Sequence, residues 1–198
     1  MLITNKATKE FEHMPNKEEF LKEIVGKSCN VWNQFYVMKT LMNKEYEPLF
    51  NHNKYFWGAI QHSLGQSLLV DLAKFFEKSK KVVSIYSVLA FSKDRGKKEK
   101  IEKELDENLI VKNLKEWRDN IYMHTNKEVL FDFSTFSDAY PLKYGDLEEL
   151  LTTIEDLIGS VVSGMEDTGH TYDFRNFKEQ SQKDVEEIIS ILRQNFKL

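Results

Sequence analysis

Residues 16–42, NKEEFLKEIVGKSCNVWNQFYVMKTLM, carry the first decision about the fold. Asn16 follows Pro15 and precedes Glu19 by three positions, a capping-box pattern in which each side chain satisfies a backbone N–H left open at a helix start. Phe20, Ile24, Val31, Phe35, Met38 and Met42 then recur at intervals of four, seven, four, three and four. Such spacing places them on one helical face, so the stretch predicts a long amphipathic helix. Only Pro15, Pro48 and Pro141 interrupt the chain, which leaves room for long helices between them.

Working outward, Tyr46-Glu-Pro-Leu-Phe50 reads as a turn. A second helix follows, with Phe56, Ile60, Leu64, Leu68, Leu72 and Phe75 on one stripe, ending at Lys78-Ser-Lys-Lys81. Ser84 is placed to cap a short apolar helix over Ile85–Phe91, and Lys97–Leu105 reads as an exposed helix or a mobile connection. Ile110, Leu114, Trp117 and Ile121 form the next stripe. After Thr125 the helical period lapses; Val129–Phe136 is aromatic and β-capable but too isolated to demand a sheet. An amphipathic helix runs from Asp146 to about Gly164, and Ser181-Gln-Lys-Asp184 caps a last helix over about 181–195. No repeat or low-complexity tract appears. The expectation is an all-α fold, an antiparallel helical bundle of about five to seven helices, forming a single domain over 1–198.

With 41% hydrophobic, 30% charged and 13% aromatic residues, the 198-residue chain has globular composition rather than that of a disordered segment. The lone cysteine, Cys29, cannot form an internal disulfide and reads as a buried small hydrophobe, so a reducing compartment, the cytoplasm, is expected. The first ten residues lack an uninterrupted apolar core, and no apolar run approaches the roughly 18 residues of a membrane span; neither export nor insertion is expected. A net charge of −4 argues against a generic nucleic-acid coat. The distribution is uneven, however: Lys74–Lys100 holds nine basic residues against three acidic, and Asp146–Glu187 twelve acidic against three basic. The basic stretch reads either as a phosphate-facing surface or as a solvated helical face.

None of the five histidines falls in an H-x3-H, an H-E-x-x-H or a cysteine-containing ligand set, and no P-loop, G-x-S-x-G elbow or glycine-rich dinucleotide turn is present. Neither metal nor cofactor is expected. His52 and His62 read as helix-surface or core residues. What remains is Trp117-Arg-Asp-Asn-Ile-Tyr-Met-His124. On a straight α-helix Arg118 and His124 are about 9 Å apart along the axis and roughly 120° apart around it. They share a site only if the helix ends before His124 or a second copy of the chain completes the cleft. His124 follows Trp117 by seven and Ile121 by three, which puts it on the buried stripe with Arg118 flanking. The plain alternative is structural: a core histidine bonded to a backbone carbonyl, and an Arg118 paired with Asp119, Glu116 or an acid on the next helix.

The R-x5-H spacing near a helix end in an all-α chain resembles the R-x(4–6)-H signature of HEPN domains. Val31-Trp-Asn-Gln34, Leu72-Ala-Lys-Phe-Phe-Glu77 and Val82-Val-Ser-Ile-Tyr-Ser-Val-Leu89 resemble the abortive-infection branch, over roughly residues 20–165, with a C-terminal extension beyond. The resemblance implies a homodimer that cleaves RNA without a metal or cofactor, as a phage-defence or toxin component with an antitoxin or regulator protein as partner. His124 would be general acid or base, a role typically worth about 10²–10⁴-fold, and Arg118 would hold the phosphoryl oxygens. Asp119 or Asn120 would orient one of the pair, and Lys78, Lys80 and Lys81 would contact RNA. Attack by a 2′-hydroxyl makes RNA rather than DNA the substrate. Met123 stands where a small residue often precedes the histidine, and Asn126 where some toxin relatives carry a modifiable tyrosine, so regulation by tyrosine modification is not expected. The other function class is a catalytically silent helical module that binds a partner protein or a nucleotide.

Overall fold

The computed structural model describes residues 17–79, 82–92, 94–123, 132–163 and 174–196. Among them every regular element is helical: α1 (Lys17–Leu41), α2 (Glu47–His52), α3 (Lys54–Phe75), α4 (Ile85–Leu89), α5 (Arg95–Glu107), α6 (Leu109–Trp117), α7 (Phe133–Ala139), α8 (Tyr144–Ser163) and α9 (Phe174–Phe196). A 3₁₀ turn at Lys44–Tyr46 leads into α2, and a π-helical turn at Arg118–Met123 continues α6. The fold is thus all-α. Among the described residues nine α-helices form, more than the expected five to seven, because short helices form where the sequence suggests turns or irregular chain.

The face predicted for α1 is buried through Phe35 and partly so at Met38, whereas Met42, past the helix end, is exposed. Phe20, Ile24, Val31 and Phe35 are at most 7% exposed, together with Leu21 and Trp32. They pack against Leu68, Leu72, Ala73, Phe75 and Phe76 of α3 and its end, Ile85, Val88 and Leu89 of α4, Val111 and Leu114 of α6, and Leu150, Ile154 and Ile158 of α8. Each such side chain contributes about 1.5–3 kcal/mol on leaving water, so this cluster dominates the stability of the fold. The pairing of α1 with α3 is fixed at two levels: Gln34 Nε2 donates to Asp71 Oδ2 (3.2 Å), and Gln61 Nε2 donates to the Leu41 carbonyl (2.8 Å).

A second, smaller cluster joins Leu41, Leu49, Phe50 and Ile189, with Trp57, Ile60 and Leu64 packed against it. It exists because Pro48 sits in the first turn of α2, where a missing N–H costs nothing, so the predicted turn at Tyr46–Phe50 winds into a helix that carries Leu49 and Phe50 inward. The stripe on α3 is therefore buried unevenly. Leu68 and Leu72 are at most 1% exposed, whereas Phe56 is 61% exposed at the small-cluster end.

Two boundaries differ from the sequence expectation, and one segment left open between helix and connection is a helix, each for a local reason. Asp132 accepts a hydrogen bond from the Thr135 N–H (3.2 Å) and starts a helix over the β-capable residues 133–136. Ser181 does not cap the last helix but lies buried within α9, its Oγ donating to the Phe177 carbonyl (2.9 Å). The charged segment after Lys93 is helical, capped by Asp94 on the Lys97 N–H (2.9 Å). At its far end α9 is held by Arg193, which pairs with Glu45 (3.1 Å) and lies over the Tyr46 ring. Among the described residues no helix is long and apolar enough to cross a membrane.

Candidate functional site

Asn108 ends α5 and caps α6, its side chain accepting from the Val111 N–H (3.1 Å). One face of α6 is then pinned to the chain before α8. Asn113, 4% exposed, donates to the Pro141 carbonyl (2.8 Å) and Trp117 Nε1 to the Tyr140 carbonyl (2.7 Å), while the Trp117 ring meets Phe133 and Phe136 edge-on. These contacts fix the rotation of α6 and so determine where Lys115 and Arg118 point.

Arg118 opens the π-helical turn. The shift from i→i+4 to i→i+5 bonding widens the helix and changes which residues share a face, and such turns occur frequently at functional sites. It also removes the basis for placing His124 on the Trp117–Ile121 stripe, since that extrapolation assumed 3.6 residues per turn throughout. His124 itself lies outside the described residues, as do Lys80 and Lys81.

The Arg118 side chain is only 15% exposed. Its Nε donates to Asp119 Oδ1 (2.6 Å) and its Nη1 to Glu77 Oε1, from the segment that follows α3. The hydrogen bond that Arg118 donates to Asp119, against the opposing effect of burial and with the charges of Asp119 and Glu77 added, holds the guanidinium pKa above its ordinary value. Of the two supporting candidates, Asp119 touches Arg118; Asn120 Nδ2 donates to the carbonyl (3.0 Å) and side chain (2.9 Å) of Glu116.

Around this pair stands a polar cluster drawn from four segments. Lys78 pairs with Asp106 of α5 (2.5 Å) and lies over the Tyr86 ring of α4, whose hydroxyl donates to the same Asp106 (2.9 Å). Burial, then the bond to Asp106, raises the Tyr86 pKa. Burial works against ionised Asp106, yet the bonds from Lys78 and Tyr86 leave its pKa below the ordinary value. Lys115, half-buried, has a lowered pKa through burial first and the neighbouring Arg118 second, with Asp106 opposing. Lys78 is therefore near the Arg118 site but committed to a carboxylate.

Among the described residues most cations of the basic stretch that sequence composition singled out are paired with acids inside it or just beyond its two ends. Arg95 pairs with Glu99, Lys98 with Glu102 and Lys100 with Glu104 along α5, and Lys74 pairs with Asp71. Counting charges between Lys74 and Lys100 left out Glu102, Glu104 and Asp106. Among the described residues no group of three or more His, Cys, Asp or Glu side chains could hold a metal ion. His52 and His62 are exposed on helices, and Cys29 is half-buried with its thiol pKa raised by burial and then by Glu155.

Sequence reasoning missed Glu77 and Lys115 as members of the site. Glu77 is 41 positions from Arg118, so only the fold brings them together. Lys115 had a local signal, since a residue three before Arg118 on a helix lies on the same side. A family model described as AbiU2, of HEPN type, matches residues 15–188. No curated protein and no solved structure matches the chain.

Proposed function

From the premise that the chain belongs to the AbiU2 family of HEPN domains, an abortive-infection branch, we propose that it is a metal-independent endoribonuclease that acts as a dimer. The observation that carries the reading is Arg118: a half-buried guanidinium, opening a π-helical turn, oriented by Glu77 and Asp119. The 1–3 spacing of its donors suits phosphoryl oxygens as well as carboxylates, and a guanidinium fixed before the reaction stabilises developing charge without reorganising. In the reaction a 2′-hydroxyl attacks the adjacent phosphorus, its proton passes to a base, and the bond to the 5′-oxygen breaks as that oxygen receives a proton. His124 serves as base or acid, and Arg118 holds the non-bridging oxygens. The product is a 2′,3′-cyclic phosphate and a 5′-hydroxyl.

We read the helices as an antiparallel HEPN bundle, supported by the order of the α1–α3 contacts at Gln34–Asp71 and Leu41–Gln61. Dimerisation is part of this reading, because a second copy can bring an Arg118 and a His124 into one groove. The reading extends to a cytoplasmic phage-defence toxin controlled by an antitoxin or regulator. The same ion pairs of Arg118 also suit a silent module that binds a protein or nucleotide. Mixed RNA incubated with the protein in EDTA separates the two. Fragments with cyclic-phosphate ends, lost in Arg118→Ala and in His124→Ala, support the ribonuclease; no cleavage, or cleavage that survives both substitutions, refutes it.

A further inference from the structure

We propose that Lys115 is a second phosphate-binding cation of the Arg118 site, taking the RNA phosphate next to the one that Arg118 holds. The proposal rests on the ribonuclease reading for the role of Arg118. Lys115 and Arg118 are three positions apart, Lys115 within α6 and Arg118 directly after its end, so the two side chains leave the helix on the same side, with Cβ atoms about 5–6 Å apart. The pinning of Asn113 and Trp117 to residues 140–141 holds both cations in place from the opposite side.

Lys115 combines half-burial with the lack of a direct partner among the described residues. Among the described residues its ammonium makes no hydrogen bond or ion pair, although it is half-buried and feels Arg118, Asp106, Lys78 and Glu77. The acids nearby are engaged elsewhere: Glu77 with Arg118, and Asp106 with Lys78 and Tyr86. A partly desolvated cation without a counter-ion is costly, which is why burial lowers its pKa, and an incoming phosphate supplies the missing anion. On α5, by contrast, Lys98, Lys100 and Lys103 each face an acid one turn on. Two adjacent cations along one helix edge suit a polyanionic strand better than a single carboxylate.

The test uses the full chain and a fluorescent 2′-O-methyl oligoribonucleotide, which binds but lacks the attacking hydroxyl. Anisotropy titrations across salt concentration should show Lys115→Gln weakening binding roughly three- to tenfold. The slope of log affinity against log salt should become shallower by about 0.7, the loss of one single-strand phosphate contact. Lys115→Arg should keep both values. In the wild-type protein the oligonucleotide should also protect Lys115 from an amine-reactive label several-fold more than Lys100, a readout that does not depend on any variant folding. Wild-type affinity and slope in folded Lys115→Gln, equal protection of the two lysines by the oligonucleotide, or no binding by the wild type overturns the proposal. If cleavage survives Arg118→Ala while the Lys115 slope change is present, the ribonuclease reading fails and the phosphate contact stands.

Discussion

Helices α5 and α6 are neighbours in sequence, joined through Asn108, and both are rich in charge near the proposed site, yet they treat charge in opposite ways. On α5 the cations, Lys98 apart, stand in water: Arg95 is 90% exposed and pairs with Glu99 at 2.8 Å, and the next three pairs are at 3.8 Å. Leu105, with Ile101 packed beside it, anchors that helix in the core. On α6, Val111, Asn113 and Leu114 are buried, and the cations that follow, Lys115 and Arg118, are half-covered by protein. Residue type does not decide what a lysine or arginine does; the dielectric surroundings and the identity of the partner do. An exposed pair one turn apart contributes a few tenths of a kcal/mol, whereas a guanidinium at 15% exposure must be paired or destabilise the fold.

The contrast breaks most severely if α6 loses its anchor. Leu114 is fully buried, and Leu114→Ala should cost about 2–5 kcal/mol in urea denaturation, with loss of whatever Arg118 does. Glu77→Ala comes next: leaving Arg118 with Asp119 alone should cost roughly 1–3 kcal/mol, and Glu77→Gln less, because the amide still accepts from the guanidinium. Asp106 sharpens the comparison through pH. Its folded pKa lies below the unfolded one, so its stabilisation is present above the ordinary carboxylate pKa and is lost as pH falls through the folded value. Acid titrations of stability should therefore show a shallower decline below that range in Asp106→Asn. The smallest effect belongs to α5, where Arg95→Ala should change stability by less than about 0.5 kcal/mol.

Periodicity was a good guide wherever one helix face meets the main core. Phe20, Ile24, Val31 and Phe35 are buried as their spacing predicts, and so are Leu68, Leu72 and Leu114. It misled at Phe56, because the first half of α3 meets only the small second cluster, whose size depends on α2 and α9 rather than on α3 itself. The helical start at Asp132 was readable as an N-cap, but aromatic β-propensity at 133–136 obscured it. The π-helical turn at Arg118 has no such local mark; it is a shift in backbone hydrogen-bond register, which side-chain spacing does not report. Within the candidate site, Arg118 and Asp119 were visible as neighbours, and Asn120 was visible too but bonds to Glu116. Glu77 was out of reach because a contact across 41 positions is a property of the fold. The position of His124 relative to these groups falls outside the described residues.

The most direct test sets the two kinds of cation side by side. Single-turnover cleavage of one RNA in EDTA is measured for the wild type, Arg118→Ala and Arg95→Ala. The half-buried, carboxylate-held Arg118 should matter by about 10²–10³-fold, as expected for a lost oxyanion-stabilising group, and exposed Arg95 by less than about twofold. Equal rates for wild type and Arg118→Ala, or equal losses in both variants, would contradict the account.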